Sequence, residues 1–166
     1  VYDAQGLRVR RVVDGVGTDY LVDRNHGFGD VLEERGPGSP VRYLYGEDLV
    51  RETAGTSAVH RLTDALGTTR ALTNAAGAVS QRYEFSAFGA PLMSGGGTRH
   101  QFGGEESDAE DGLYYLRARY YSPSLGRFLS QDPLRRDDRD PMASRMYQYG
   151  RNSPAMFVDP SGAFEM

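Results

Sequence analysis

Cysteine, lysine and tryptophan are all missing from these 166 residues. Without cysteine the chain forms no disulfide and no thiolate metal site, and it has no thiol nucleophile; the redox compartment stays open. No stretch approaches the roughly 20 apolar residues that a bilayer-spanning helix needs, so no membrane span is expected. A net charge of −4 gives no electrostatic case for a nucleic-acid partner. The histidines, His26, His60 and His100, are too widely spaced for a zinc motif. There is no GxSxG elbow, and the Gly-rich SGGGT (94–98) lacks the lysine of a phosphate-binding loop. No cofactor and no metal are therefore expected. The opening VYDAQGLRVRR has neither an initiator Met nor a charged-then-apolar layout, and it starts inside a repeat. The chain is expected to be a piece of a longer one, with any targeting signal upstream.

What is abundant is glycine (21), arginine (19) and tyrosine (11), with seven phenylalanines. The chain is long enough for one domain with a core. Using arginine alone as the basic residue suits planar guanidinium groups stacked on aromatic rings of neighbouring strands; a G+C-rich coding sequence would bias the chain the same way.

A repeat runs through the sequence. YDAQGLRVRRVVDG (2–15), TDALGTTRALTNAAG (63–77) and FSAFGAPLMSGGG (85–97) each place a small or acidic residue three positions before a glycine: Asp3/Gly6, Asp64/Gly67 and Ser86/Gly89. The side chain at the first position can bond its own backbone, and glycine supplies the positive φ that closes the turn. The flanks alternate with period two, as in Tyr43 and Tyr45 against Arg42 and Leu44, or Tyr83 and Phe85 against Arg82 and Glu84. That period predicts strands, with a weak helical turn over 141–150 only. One hairpin is marginal in water, so the expectation is all-β: a continuous antiparallel strip of hairpins with tyrosines laddered along one face. Its two open ends would need caps or further repeats.

Two Asp-Pro pairs stand out near the end of the sequence, in GRFLSQDP (126–133) and FVDPSG (157–162). Two carboxylates a few ångströms apart cannot both ionise freely, and such a pair can act as base and acid together on a peptide carbonyl. The plain alternative is that Asp132 and Asp159 only cap turns, since Asp-Pro is a common turn pair and occurs again at Asp140-Pro141. EESDAED (105–111) reads as a solvated acidic turn and RRDDRD (135–140) as an exposed mixed-charge loop.

The Tyr-Asp units followed by Gly, with GLYYLRARYYSPSLGRFLSQDP (112–133) and YQYGRNSPAMFVDPSG (147–162), resemble the Rhs/YD-repeat proteins and their Rhs repeat-associated core. This group includes toxin-complex C subunits, Rhs polymorphic toxins and the teneurins. The resemblance implies a terminal fragment of a hollow β-shell, or cocoon: residues 1–99 as hairpin shell wall, and 100–166 as the core where the chain turns inward. It implies a C-terminal toxin held in the rest of the shell, a toxin-complex B-type subunit or secretion-system component as partner, and an exported, secreted or bacterial cell-surface location. It further implies a single-turnover aspartic autoprotease acting in cis, with Asp132 and Asp159 as the paired acids and Arg119 beside them. The cut would fall after Ala163, between Ala163 and Phe164. Ala163 stands where the family usually has Leu, and the segment between the aspartates is longer than usual. The alternative is a non-catalytic structural or adhesive cell-surface scaffold, in which the same aspartates are turn caps. A carbohydrate-binding surface has only the aromatic content in its favour.

Overall fold

The structure, a computed structural model, describes residues 1–25, 28–93, 96–133 and 145–163. Phe164, the Asp140-Pro141 pair and the RRDDRD loop lie outside the described residues. The described chain is built from antiparallel strands with two short 3₁₀ turns, so the all-β expectation holds. Among the described residues no helix is long and apolar enough to cross a membrane.

Eight strands pair in plain sequence order: β1 (Arg10–Val13), β2 (Val16–Asp23), β3 (Asp30–Arg35), β4 (Val41–Tyr45), β5 (Leu49–Ala54), β6 (Ser57–Thr63), β7 (Thr69–Asn74) and β8 (Val79–Arg82). The hairpins that follow form two smaller sheets. One pairs β9 (Glu84–Phe85) with β10 (Pro91–Met93). The other contains β11 (Glu106–Asp108), β12 (Leu113–Leu116), β13 (Arg119–Ser122) and β14 (Arg127–Phe128). Of the helical turn expected over 141–150, residues 141–144 lie outside the described residues, and among 145–150 only Gly150 enters a helical turn, the 3₁₀ turn Gly150–Asn152. The chain divides into two compact units, Val1–Leu62 with Ala71–Gln81, and Thr63–Arg70 with Arg82–Met166.

Within the first unit, the buried face of the strip is polar as well as aromatic. Tyr20 lies opposite Glu34 and Tyr43 opposite Glu52, and all four are buried. The Tyr43 hydroxyl donates to Glu34 Oε1 at 2.7 Å, and the guanidinium carbon of buried Arg8 sits 5.4 Å from the Tyr20 ring centre. Alternation is therefore kept, but the inward phase includes arginine and glutamate. A guanidinium can lie on a ring and pair in the plane, which a compact ammonium cannot do equally well.

The repeat turn is one reusable device. Gly6 N–H donates to Asp3 O, Gly67 N–H to Asp64 O and Gly89 N–H to Ser86 O, at 3.0–3.1 Å. The side-chain Oδ1 of Asp3 accepts from the N–H groups of Gln5 and Leu7, and that of Asp64 from Leu66 and Thr68. Asn74/Gly77 is a further copy, with Asn74 Oδ1 accepting from Ala76 and Ala78. Asn74→Ala removes both side-chain bonds and is expected to destabilise the fold by about 1 kcal/mol, measurable by urea denaturation.

In the second unit the core is a ring cluster of Phe102, Tyr114, Tyr121, Phe128 and Tyr149 with Leu116. Tyr121 and Tyr149 have ring centres 4.3 Å apart. The phenols still reach backbone acceptors: Tyr121 donates to Phe88 O at 2.7 Å and Tyr114 to Gly89 O at 3.1 Å. Gly89, with φ +82°, is where the Phe102 ring lies against bare backbone; a Cβ there would meet the ring at 2.5 Å.

Candidate functional site

The site is assembled by the β12–β13 hairpin, the chain after β14, and the turn at 159–162. Hairpin pairing sets Leu116 opposite Arg119 and leaves Arg117 and Ala118 as a two-residue connection, with Arg117 at φ +52°. After β14, Leu129 N–H donates to Tyr120 O and Asp132 N–H to Met146 O, both at 2.9 Å, which brings the Asp132 side chain back toward the start of β13.

Asp159 belongs to the same turn design as the repeats. Gly162 N–H points to Asp159 O at 3.3 Å, and Asp159 Oδ1 accepts from Ala163 N–H at 3.1 Å and from the Ser161 hydroxyl at 3.2 Å. In Asp3 and Asp64 the second oxygen, Oδ2, is taken by an arginine, Arg24 and Arg70, at 2.8–3.0 Å. In Asp159 the second oxygen is likewise taken by an arginine, Arg119, at 3.2 Å. What differs is burial: Arg24 and Arg70 are half exposed, whereas the side chains of Arg119 and Asp159 are 2% and 0% exposed.

The structure brings Asp132, Asp159 and Arg119 together. One nitrogen, Arg119 Nη2, lies 3.2 Å from Asp132 Oδ2 and 3.2 Å from Asp159 Oδ2. The two carboxylate oxygens can be no farther apart than twice that distance, and the guanidinium bridges them. The other two arginine nitrogens are also engaged, Nε with Gly162 O and Nη1 with Met146 O at 3.0 Å. The guanidinium is stacked on Phe128, 3.5 Å from carbon to ring centre. Four acceptors and one ring face thus use the whole planar fork, which lysine could not reproduce.

Three consecutive residues of the hairpin hold three consecutive carbonyls of the turn. Arg117 Nη1 donates to Pro160 O at 2.6 Å, Ala118 N–H to Ser161 O at 3.1 Å, and Arg119 Nε to Gly162 O. Backbone carbonyls carry no side-chain identity, so the grip tolerates any residue at 161. It does not tolerate one at 162, where φ is +68° and a Cβ would fall 2.1 Å from Leu116 O.

The acidic segment 105–111 is the expected solvated turn over 109–111, which are exposed, and departs from that reading at its start. Glu105, Glu106 and Asp108 are buried, and β11 carries the latter two into a sheet. Each faces an arginine: Glu105 pairs with Arg117, while Arg99 pairs with Glu106 at 2.6 Å and with Asp108 at 2.9 Å. The partners come from outside the acidic run, so a local charge count misreads it. Burial pushes the Glu105 carboxyl up to about 7, against Arg117, which pulls it down, with Asp159 and Glu106 adding to the rise. The folded chain therefore binds this proton more tightly than the unfolded chain does. Its contribution to stability is full below the ordinary carboxyl value of 4.5 and is lost as pH rises through about 7. Urea melts at pH 5 and pH 8 are expected to show the parent losing stability relative to Glu105→Gln.

Of the two residues flanking the expected cut, Ala163 sits beside Asp159 through its N–H, and Phe164 lies outside the described residues. Sequence reasoning missed Arg117, Ala118, Glu105 and the Met146 carbonyl. One usable signal was present: Asp159-x-x-Gly162 repeats the Asp3-x-x-Gly6 spacing and so identifies the same turn.

No protein-family model matches the chain. The chain is 35% identical over 173 aligned residues to the tRNA3(Ser)-specific nuclease WapA of Bacillus spizizenii, covering 97% of this chain and 7% of that protein. It is 41% identical over 73 residues to the toxin protein Tse5 of Pseudomonas aeruginosa, covering 44% of this chain and 5% of that one. The crystal structure of TcdB2-TccC3-TEV superposes on 98% of the chain with a TM-score of 0.67 at 20% identity, and this likeness is one of fold. The chain belongs to the Rhs/YD-repeat family. It spans less than a tenth of the length of each of these proteins. Its relatives include the toxin protein Tse5 and the toxin subunit YenC2 of Yersinia entomophaga, and the antiparallel sheets described above share the fold of the TccC3-containing structure.

Proposed function

We propose that this chain is a terminal part of an Rhs shell that encapsulates a C-terminal toxin and frees it by aspartate-dependent self-cleavage just after the DPSG turn. Residues 1–99 serve as shell wall and 100–166 as the core with the autoproteolytic end. The observation that carries this reading is a single buried guanidinium nitrogen touching both Asp132 and Asp159, next to the turn that presents Ala163.

In the proposed reaction one carboxylate takes a proton from a water whose oxygen attacks the Ala163 carbonyl carbon. The other, protonated, gives its proton to the Phe164 nitrogen as the bond breaks, leaving an Ala163 carboxyl and a Phe164 amine. Arg119 balances the charge of the pair and holds the turn. The preceding peptide, Gly162–Ala163, is gripped at both ends, by Arg119 on its oxygen and Asp159 on its N–H. Arg119 polarises the Gly162 carbonyl, but an N–H donating to a carboxylate makes that nitrogen a poorer leaving group. The two ends of the grip thus act oppositely on that bond while both hold the chain in place. The downstream toxin, a B-type subunit or secretion-system partner, and export from a bacterium belong to the same proposal.

A second reading has its own observation. Asp159 Oδ1 caps its turn as Asp3 and Asp64 cap theirs, which a purely structural or adhesive scaffold would also need. Intact mass separates the two, using the chain with a reporter segment of about 30 residues fused after Met166. Release of a fragment starting at Phe164 supports cleavage; a folded chain of full mass supports the scaffold.

A further inference from the structure

Arg117 is the least expected member of the site. It stands at a positive φ, uncommon for a residue with a long side chain, and its Nη1 reaches both Glu105 and the Pro160 carbonyl. Glu105 follows the 3₁₀ turn Phe102–Gly104, is 7% exposed, and comes from a different part of the chain than either the hairpin or the turn at 159–162. One guanidinium nitrogen therefore ties three separate segments together one residue away from Asp159.

We propose that Glu105 is a positioning residue for the self-cleavage reaction, acting through Arg117: ionised Glu105 anchors Arg117 on the Pro160 carbonyl and so holds the Asp159 turn in register with Arg119. The inference rests on the cleavage reading above and names a residue and a regulation that the aspartate pair does not include. An ionised carboxylate binds a guanidinium through a charge-assisted bond about twice as strong as the neutral acid offers. Protonation leaves Arg117 with a weaker hold, and the carbonyl grip at Pro160 loosens. The groups facing Glu105 are Arg117 from the hairpin connection, Asp159 from the cut-site turn, Glu106 beside it in the chain, and Tyr149. Asp159 and Glu106 oppose its ionisation and Arg117 favours it, so the switch lies in the neutral range and not at the acid end. The contribution of Glu105 to cleavage is therefore present at neutral pH and above and is lost in acid, because Glu105 must ionise, while the protonated aspartate of the pair sets a separate alkaline limit. This order is the reverse of the fold's stability, since the ionised form costs the fold a buried charge while it tightens the site.

The test uses a chain with a reporter segment after Met166, made in a cell-free translation pulse that is stopped and shifted into buffers from pH 5.5 to 8.5. Cut fraction is followed by gel and mass. The ratio of the parent rate to that of Glu105→Gln is expected to rise through about pH 7, the titration of the aspartate pair being common to both. Glu105→Gln is expected to be about tenfold slower than the parent at pH 8.5 and within about twofold at pH 5.5, the difference between a charged and a neutral partner bond. Arg117→Gln is expected to reproduce the loss at high pH, and Arg117→Lys to restore part of it. Near-ultraviolet circular dichroism of the tyrosine cluster checks that each variant keeps its core. A folded Glu105→Gln whose profile superimposes on the parent's overturns this inference and leaves the aspartate reading intact. A folded parent uncut at every pH overturns both.

Discussion

Asp159→Asn and Asp132→Asn are each expected to abolish release of the segment after Ala163, with the cut rate falling roughly a thousandfold or more. The structural reason for expecting a clean result lies in how Asp159 is held. Its Oδ1 accepts from the Ala163 N–H and the Ser161 hydroxyl, and an asparagine Oδ1 can accept both. Only the oxygen facing Arg119 Nη2 changes, to an amide NH2 that meets the guanidinium donor to donor and has neither a charge to share nor a carboxyl proton to give. Arg119 keeps Asp132 as a carboxylate partner, so the loss of one charged bond costs about 1.5–3 kcal/mol and leaves the turn in place. Mass of the fused chain after expression, with far-ultraviolet circular dichroism on the same sample, separates lost chemistry from lost fold. Arg119→Lys should behave differently, because it gives up bonds to Gly162 O or Met146 O as well as the stack on Phe128. If both Asn variants cut at the parent rate, the carboxylates are turn caps and the scaffold reading stands.

Gly162→Ala is expected to destabilise the second unit by about 2–5 kcal/mol and to stop cleavage. Two independent terms add: a left-handed backbone at φ +68° strains any Cβ, and that Cβ would lie 2.1 Å from Leu116 O and 3.0 Å from Arg119 N. These neighbours are backbone atoms of the β12–β13 hairpin, which cannot swing aside as a side-chain tip could. Relief therefore requires the turn to lift off the hairpin, breaking the bonds of Arg117, Ala118 and Arg119 to three carbonyls in one movement. Ser161→Ala is the matched control, since it keeps all three carbonyls and removes only the hydroxyl bonds of Ser161. Urea melts and intact mass on the two variants should give a large loss for Gly162→Ala and a small one for Ser161→Ala. A Gly162→Ala chain that melts and cuts like the parent would show that the turn does not sit against the hairpin.

The local devices of this fold were written plainly in the chain. A period of two at Tyr43–Tyr45 and Tyr83–Phe85, and a small polar residue three before a glycine, are enough to specify strands and turns, because both depend on neighbours within five residues. The sequence likewise singled out Asp132, Asp159 and Arg119 through their motifs, and the structure brings them together. The exposed turn at 109–111 was legible, whereas the burial of Glu105, Glu106 and Asp108 was not, for the converse reason. These three charges are answered by Arg99 and Arg117, and no local rule of charge counting can see partners set by the tertiary fold.

By itself, then, the sequence determined the class of structure and the kind of turn, including the turn that carries Asp159, since those follow from alternation and from where glycine can take a positive φ. Tertiary structure alone decided which of several chemically similar Asp–Arg turns is buried. Asp3–Arg24 and Asp64–Arg70 remain open to solvent, where water screens their charges. Asp159–Arg119 is closed in by Phe128, Met146 and the hairpin, and there the same guanidinium also holds a second carboxylate, Asp132. Exclusion of water depends on segments far apart in the chain meeting, which a motif can mark but cannot bring about.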